Sequence, residues 1–279
     1  MGKKSIIGLL KLFGVSRKQL RRIRRFNGAS KFSRFDEENI VQQMIATIEL
    51  ELQFFVDVGA GNGVTDSNTC LLAIRGWQGL SIESDPKKFS ELADEYECFP
   101  GVSLSRCVVT PDNIVFLLQA HRVPETFSLL SLDIDGCDYF VLEQLLTRFR
   151  PLMLCVEINE KIPPPIKFSV KWDPNYVWKG DHFYGHSISQ LGALASEHRY
   201  EIVWLEYNNV FLVSREVCRM PSMTPDEAYR KGYLTRPDRL KRFPWNADME
   251  SLHRMSPGDA LSFLRRAFEK YEGKYICSL

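Results

Sequence analysis

The chain has 279 residues, 44% of them hydrophobic and 25% charged, which is an ordinary globular balance and enough length for a full core. That excludes disordered, collagen-like and coiled-coil chains. No apolar run reaches the roughly 18–20 residues of a membrane span, and seven Cys without a CxxC pair fit neither a disulfide scaffold nor a zinc site. The net charge of +1 hides an asymmetry: residues 1–35 hold eleven Lys and Arg and no acid, while residues 36–279 carry 25 basic against 35 acidic residues.

The leader, residues 1–35, starts with apolar residues from Ile6 to Val15 and continues into a basic block, RKQLRRIRR. The apolar run is too short to span a bilayer and no small-residue cleavage site follows it. Ile6 stands where a myristoylation motif needs Ser or Thr. Three readings stay open: a solvated or locally packed helix, an interfacial helix drawn to anionic lipid through residues 5–25, or a contact with nucleic acid or phosphoglycan. The acidic body argues against nucleic acid as the partner of the whole chain. Reduced Cys packed as small hydrophobes point to a cytoplasmic setting, with membrane association left open.

A helix is expected from Asp36, with Ile40, Met44, Ile45 and Ile48 on one face. Leu52 to Gly59 reads as a buried strand running into a Gly-rich turn. Beyond it, helices fit 64–75, 86–97, 112–121 and 138–148, alternating with strands at 79–83, 102–109, 127–133 and 151–158. This alternation predicts an α/β fold, a Rossmann-like doubly wound sheet of seven strands covered on both faces. A Pro- and aromatic-rich stretch, 161–185, then breaks the rhythm. Loops of about 25 residues are usually lids or binding elements. A helix at 187–198 precedes two strands, Tyr200–Leu205 and Val210–Val213, spaced as an antiparallel hairpin that closes the sheet. The expected organisation is a basic leader over 1–35, one domain over 36–214, and a C-terminal extension over 215–279 with a helix at 257–271.

The most informative run is Val56-Asp57-Val58-Gly59-Ala60-Gly61-Asn62-Gly63. Glycines after a first strand let backbone approach a ligand. Glu83 ends the second strand about 20 residues on, where a carboxylate can accept from both ribose hydroxyls. Asp57, two residues before the first glycine, disfavours a pyrophosphate and suits a cationic ligand. The glycines read G-x-G-x-G, not the G-x-G-x-x-G of a dinucleotide site.

On these residues the sequence resembles the class I S-adenosylmethionine-dependent methyltransferases, whose first motif E/D-x-G-x-G-x-G is matched by DVGAGNG. The resemblance covers about 54–213 and includes the terminal hairpin. It implies that Asp57, Gly59, Gly61 and Asn62 hold the methionyl end of S-adenosyl-L-methionine and Glu83 the ribose. Cys107 and Val108 would flank the adenine, and Asp133 would face the methionyl amine. More narrowly, FVDVGAGNG, SIESDP, LLSLDIDGCDYFVLEQL and GHSISQLGALASEHRYEIVWLEYNNVFLV resemble the FkbM-like branch, which includes O-methyltransferases of sugars and other natural products. Where that branch commonly carries I-D-x-E-G, this chain has Leu132-Asp133-Ile134-Asp135-Gly136.

An alcohol is a poor nucleophile at neutral pH, so methyl transfer to a hydroxyl needs a base. His182 and His186, in Gly180-Asp181-His182-Phe183-Tyr184-Gly185-His186-Ser187, are the leading candidates, with Tyr184 as a third and Asp133 close by. Each His can equally be a hydrogen-bonded loop residue. The strand ends carrying Asp135 on one side and Glu157 and Asn159 on the other offer oxygen ligands that could hold Mg²⁺. In the alternative, Asp135 caps the following helix and Glu157 orients substrate. Trp172 and Trp178 either stack on a sugar or pack as a lid.

The expected function is S-adenosylmethionine-dependent O-methylation of a sugar, glycan or similar polar small molecule. A chain that keeps the fold without activity, and one acting on protein or nucleic acid, are the alternatives. No Tyr-x-x-x-Lys dyad supports an NAD-dependent oxidoreductase. A homo-oligomer is left open.

Overall fold

A computed structural model describes residues 31–279. The readings made for the leader up to residue 30 lie outside the described residues. Among the described residues, no helix is long and apolar enough to cross a membrane.

The chain opens with α1 (Glu37–Thr47) and then alternates: β1 (Phe54–Val58), α2 (Cys70–Ile74), β2 (Gln78–Glu83), α3 (Pro86–Tyr96), β3 (Val102–Arg106), α4 (Ile114–Ala120), β4 (Thr126–Leu132), α5 (Asp138–Leu146) and β5 (Arg150–Glu157). After β6 (Lys167–Val170) come α6 (Ile188–Glu197) and the hairpin β7 (Tyr200–Glu206) and β8 (Asn209–Ser214). One seven-stranded sheet results, in the order β3-β2-β1-β4-β5-β8-β7. β1 to β5 run parallel; β8 is antiparallel to both β5 and β7. This is the doubly wound α/β architecture that the alternation predicts. The order reverses at β1, so a crevice opens beyond the carboxyl ends of β1 and β4.

Period-two alternation sends neighbouring residues to opposite faces. Val56 and Val58 of β1 join a core with Val141 and Leu145 of α5 and Leu191 of α6. Phe55 joins the other, with Ile40 and Met44 of α1 and Leu92 of α3. A fully buried side chain such as Met44, with 0% exposed, contributes about 1.5–3 kcal/mol over its solvated state.

Helix starts follow from local chemistry. Asp85 accepts from the amides of Lys87 and Lys88 ahead of Pro86, so α3 begins with a side-chain cap and a preset φ. Ser187 accepts from Gln190 at the start of α6. The helix expected over 64–75 is only the five residues of α2. Asn62 Oδ1 accepts from the Val64 and Thr65 amides, Asp66 takes a φ of 54°, and the chain turns instead of coiling.

The C-terminal part contains α7 (Pro225–Tyr229), α8 (Arg239–Arg242), a 3-10 stretch Pro244–Arg254, α9 (Pro257–Ala267) and β9 (Tyr275–Ser278). β9 pairs antiparallel with β6 of the inserted stretch, a strand that sequence periodicity did not reveal. Phe168, Phe183, Leu264 and Phe268 form a core of their own beneath this pair.

Candidate active site

Three adjoining cavities meet at the carboxyl end of β4. The first is lined by the turn Asp57 to Asn62, by Glu83 and by Ser131 to Asp135. The glycines there have separate reasons. A Cβ on Gly59, whose φ is 88°, would lie 1.7 Å from the Asp133 carbonyl oxygen, so only glycine lets the turn press on β4. Around Gly61, with φ at 57°, there is open space. Glu83 braces the turn: Oε2 accepts from the Gly61 amide at 2.8 Å and Oε1 from Asp85 at 2.7 Å. Oε2 keeps a lone pair for a further donor.

Asp57 is buried and accepts from the Thr69 hydroxyl at 2.6 Å. Removal from water lifts its carboxyl to about 6, against the opposing hydroxyls of Thr69 and Ser131. Asp133 opens on the cleft, yet protein surrounds it closely. Desolvation, then the charges of Asp138 and Asp135, raise it to about 7. Desolvation and then Asp133 push Glu157 well above the usual carboxylate range.

Carboxylate oxygens of Asp133, Asp135 and Glu157 all lie within 4.8 Å of one another. Asp135 takes a left-handed φ of 55° and does not cap α5. Asp138 organises that turn, accepting from the Ile134 and Gly136 amides at 2.8 and 3.0 Å. Asn159, grouped in sequence with Asp135 and Glu157, is 0% exposed. Its amide donates to the carbonyls of His182 and Tyr184 at 2.9 and 3.0 Å. Its side-chain nitrogen therefore ties the inserted loop to the end of β5.

The second cavity lies where the sequence expects adenine. Cys107 and Val108 line it with Asp112 and, from the inserted stretch, Trp172, Tyr176 and Val177. Val108 is 66% exposed, an apolar surface offered to a flat ligand.

The third cavity, about 690 Å³, lies within the roughly 300–1,000 Å³ typical of small-molecule sites. Asp133, Asp135, Glu157, Lys161, Trp178, His182, Asn208 and Trp245 are among its walls. The two candidate histidines separate here. His182 faces this cavity, and its Nε2 lies 3.0 Å from Asp248 Oδ2. His186 is 0% exposed and lines none of the three cavities. Burial lowers it to about 3, so it stays neutral inside the protein, and neither ring nitrogen has a partner. Of the two candidate histidines, His186 is thus the one that the fold keeps away from the cavities, its ring centroid 5.8 Å from that of Tyr139. Tyr184, the third candidate, donates to Glu160 at 2.7 Å, and burial raises its phenol well above its ordinary value.

Of the aromatics singled out in sequence, Trp178 walls both the second and third cavities, while Trp172 walls the second but not the third. Sequence reasoning missed Asp248, Trp245, Asn208 and Lys161, the buried partner of Glu160. Lys161 lies four residues beyond β5 and was readable as a base beside an acid. Asp248 and Trp245 have no local signal, because the C-terminal part brings them in from afar.

No family model matches the chain, and no curated protein matches it. Solved structures do. A SAM dependent methyltransferase from Aquifex aeolicus is 13% identical over 69% of this chain and 96% of its own, with a TM-score of 0.37. A S-adenosylmethionine-dependent methyltransferase from Clostridium acetobutylicum ATCC 824 is 9% identical over 64% and 90%, with a TM-score of 0.40. The N-terminal domain of EvdMO1, solved in the presence of SAH and D-fucose, is 9% identical over 72% and 99%, with a TM-score of 0.42. These likenesses are distant, and the strand order and site geometry stand on their own.

Proposed function

We propose that the chain transfers a methyl group from S-adenosyl-L-methionine to a hydroxyl of a sugar or similar polar small molecule, within the class I fold and in the manner of its FkbM-like branch. The observation that carries this reading is the meeting of three chemically different cavities at Asp135, with Asp133 shared by the first and third. The first offers carboxylates for an amine and ribose, the second apolar walls for a base, and the third an acidic, aromatic chamber with a histidine. A dinucleotide fits poorly, because the carboxylates of Asp57 and Asp133 line the cavity at the Gly-rich turn, where a pyrophosphate would meet like charge.

The residues suit the cofactor. Burial raises the carboxyls of Asp57 to about 6 and Asp133 to about 7, and a bound ammonium group would lower both. When bound, the cofactor supplies a methyl carbon activated by its sulfonium. The chain's own part is alignment and proton removal. Trp178 and Trp245 position the acceptor by stacking, with Asn208 and Glu157 on its hydroxyls. His182 takes the hydroxyl proton, and Asp248 orients the ring and stabilises the imidazolium. The five acids lining the chamber favour a neutral or cationic small molecule over nucleic acid.

A second reading adds Mg²⁺ on Asp133, Asp135 and Glu157, favoured by the closeness of their oxygens. Such an ion would lower the pKa of a bound hydroxyl. Calorimetric titration with S-adenosylhomocysteine, with NAD in parallel and Mg²⁺ in the presence and absence of chelator, tests both. Binding of the homocysteine compound alone is expected. Binding of NAD alone overturns the reading, and Mg²⁺ heat that vanishes in Glu157→Gln supports the metal.

A further inference from the structure

The third cavity holds its acids in two kinds of surroundings. Two of the five that line it are matched by bases: Glu160 by Lys161 at 3.3 Å and Asp181 by Lys270 at 3.1 Å. The other three, Asp133, Asp135 and Glu157, form no ion pair with any base among the described residues. Lys88, in the wall of the first cavity, acts on Asp135 through space without reaching ion-pair distance. The chamber's own bases are engaged elsewhere. Lys161 also donates to the Tyr184 hydroxyl at 3.1 Å, His182 lies 3.0 Å from Asp248, and the Arg34 guanidinium lies over the Phe243 ring at 5.6 Å. Beside Glu157, Asn208 is only 6% exposed. Its side-chain nitrogen donates to Glu157 at 2.7 Å, and its Oδ1, in the wall of the same chamber, has no partner. Whatever completes this end of the chamber has to bring donors and positive charge.

We propose that the acceptor bound in the third cavity carries an ammonium group next to the hydroxyl that is methylated, as an amino sugar does, and that Asp133, Asp135, Glu157 and Asn208 Oδ1 bind that ammonium. The inference rests on the methyl-transfer reading and narrows its acceptor. Spacing favours an ammonium. The three carboxylate oxygens lie within 4.8 Å of one another. Even at that limit a point between them is about 2.8 Å from each, the length of a charge-assisted N–H···O bond. An octahedral Mg²⁺ holds its oxygens at about 2.1 Å, and so about 3 Å apart, which is a tighter triangle. Charge favours it as well. S-adenosyl-L-methionine brings an ammonium, a sulfonium and a carboxylate, a single net positive charge that leaves the three acids in surplus. The indoles of Trp178 and Trp245, in the same walls, attract a cation with their faces. An ammonium held among carboxylates keeps its proton, and its nitrogen has no free electron pair. The methyl therefore passes to the adjoining hydroxyl oxygen, the proton of that hydroxyl passes to His182, and S-adenosylhomocysteine leaves.

The test uses the full chain saturated with S-adenosylhomocysteine, in the presence of chelator. Glucosamine, glucose and N-acetylglucosamine are titrated by saturation-transfer NMR. Glucosamine differs from glucose by one ammonium and is expected to bind about tenfold tighter or better. Acetylation, which removes the charge, should abolish that preference. Glu157→Gln should bring glucosamine down to the level of glucose. Asp135→Asn, a residue suited to the left-handed φ of 55° there, should narrow the difference too, and it keeps the test open if the Glu157 variant does not fold. Equal binding of glucosamine and glucose, or binding of neither, overturns the proposal. Sugar binding that appears only when Mg²⁺ replaces the chelator also overturns it, because the acids then serve a metal. S-adenosylhomocysteine affinity, measured on the same preparations, separates the two readings. If it is intact while the amine preference is missing, only this inference falls; if it is absent while glucosamine is still preferred, the methyl-transfer reading falls.

Discussion

Glu157 and Glu160 lie three residues apart at the end of one strand, and their surroundings drive them in opposite directions. Burial penalises both charges. Around Glu160 the penalty is outweighed: Lys161, Asn246 and Tyr184 all reach its carboxylate, and its pKa is lowered. Around Glu157 the nearest charges are further acids, and its pKa is raised, with one amide bond from Asn208 at 2.7 Å. The first neighbourhood is complete within the fold. The second is left wanting a cation or a donor, which is the mark of a place built for something to bind. The histidines four residues apart on the facing loop divide the same way. His182 turns to the cavity and meets Asp248, while His186 turns inward and meets nothing polar.

The sharpest way to break this contrast is on the catalytic side. His182→Ala should lower methyl transfer to a competent acceptor by about 10²–10⁴ while leaving homocysteine-compound affinity in place. Equal turnover in wild type and variant would move the base elsewhere. On the scaffold side, Lys161→Met strands a buried carboxylate and should cost about 3–5 kcal/mol in denaturant unfolding. The double variant Glu160→Gln with Lys161→Met should recover much of that loss. The sign with pH follows. A depressed folded pKa makes the Glu160 contribution present above the unfolded value of about 4.3 and lost as pH falls through the folded one.

Smaller effects sharpen the open side. Desolvation raises the Asp133 carboxyl to about 7, so below that pH an ammonium ligand has to displace its proton. Affinity for S-adenosylhomocysteine should therefore rise with pH up to about 7 and level off, with proton release seen as buffer-dependent heat. Asp133→Asn should reduce that buffer dependence and weaken binding about 10- to 100-fold. The smallest effect is expected from His186→Leu, where an imidazole without partners gives way to an apolar side chain of similar size. Affinity should be unchanged and the unfolding midpoint close to wild type; a large loss of affinity would return His186 to the site.

Much of this was legible in the sequence because it is local. The strand–turn run Val56 to Gly63, Glu83 at the next strand end and the order of elements up to the hairpin all follow from periodicity and glycine chemistry within a few tens of residues. What failed was set by distance or by rotation. Nothing near His182 or His186 says which ring points outward, because that depends on the pairing of Ser169 with His186 and on β9 arriving from the far end of the chain. Asp135 and Asp138 could not be told apart as the turn-builder until the amides of Ile134 and Gly136 had a direction.

The pairing of β9 with β6 also orders events in time. Phe168 meets Cys277 across a large separation in sequence, whereas β1 to β5 are joined by short crossovers. Closing so long a loop costs entropy that only the finished contact returns. A refolding chain is therefore expected to acquire the β1 to β5 sheet and its Gly-rich turn first and the β6–β9 pair last. Between those moments the second and third cavities would still lack the walls that residues 172–184 supply, and water would fill both.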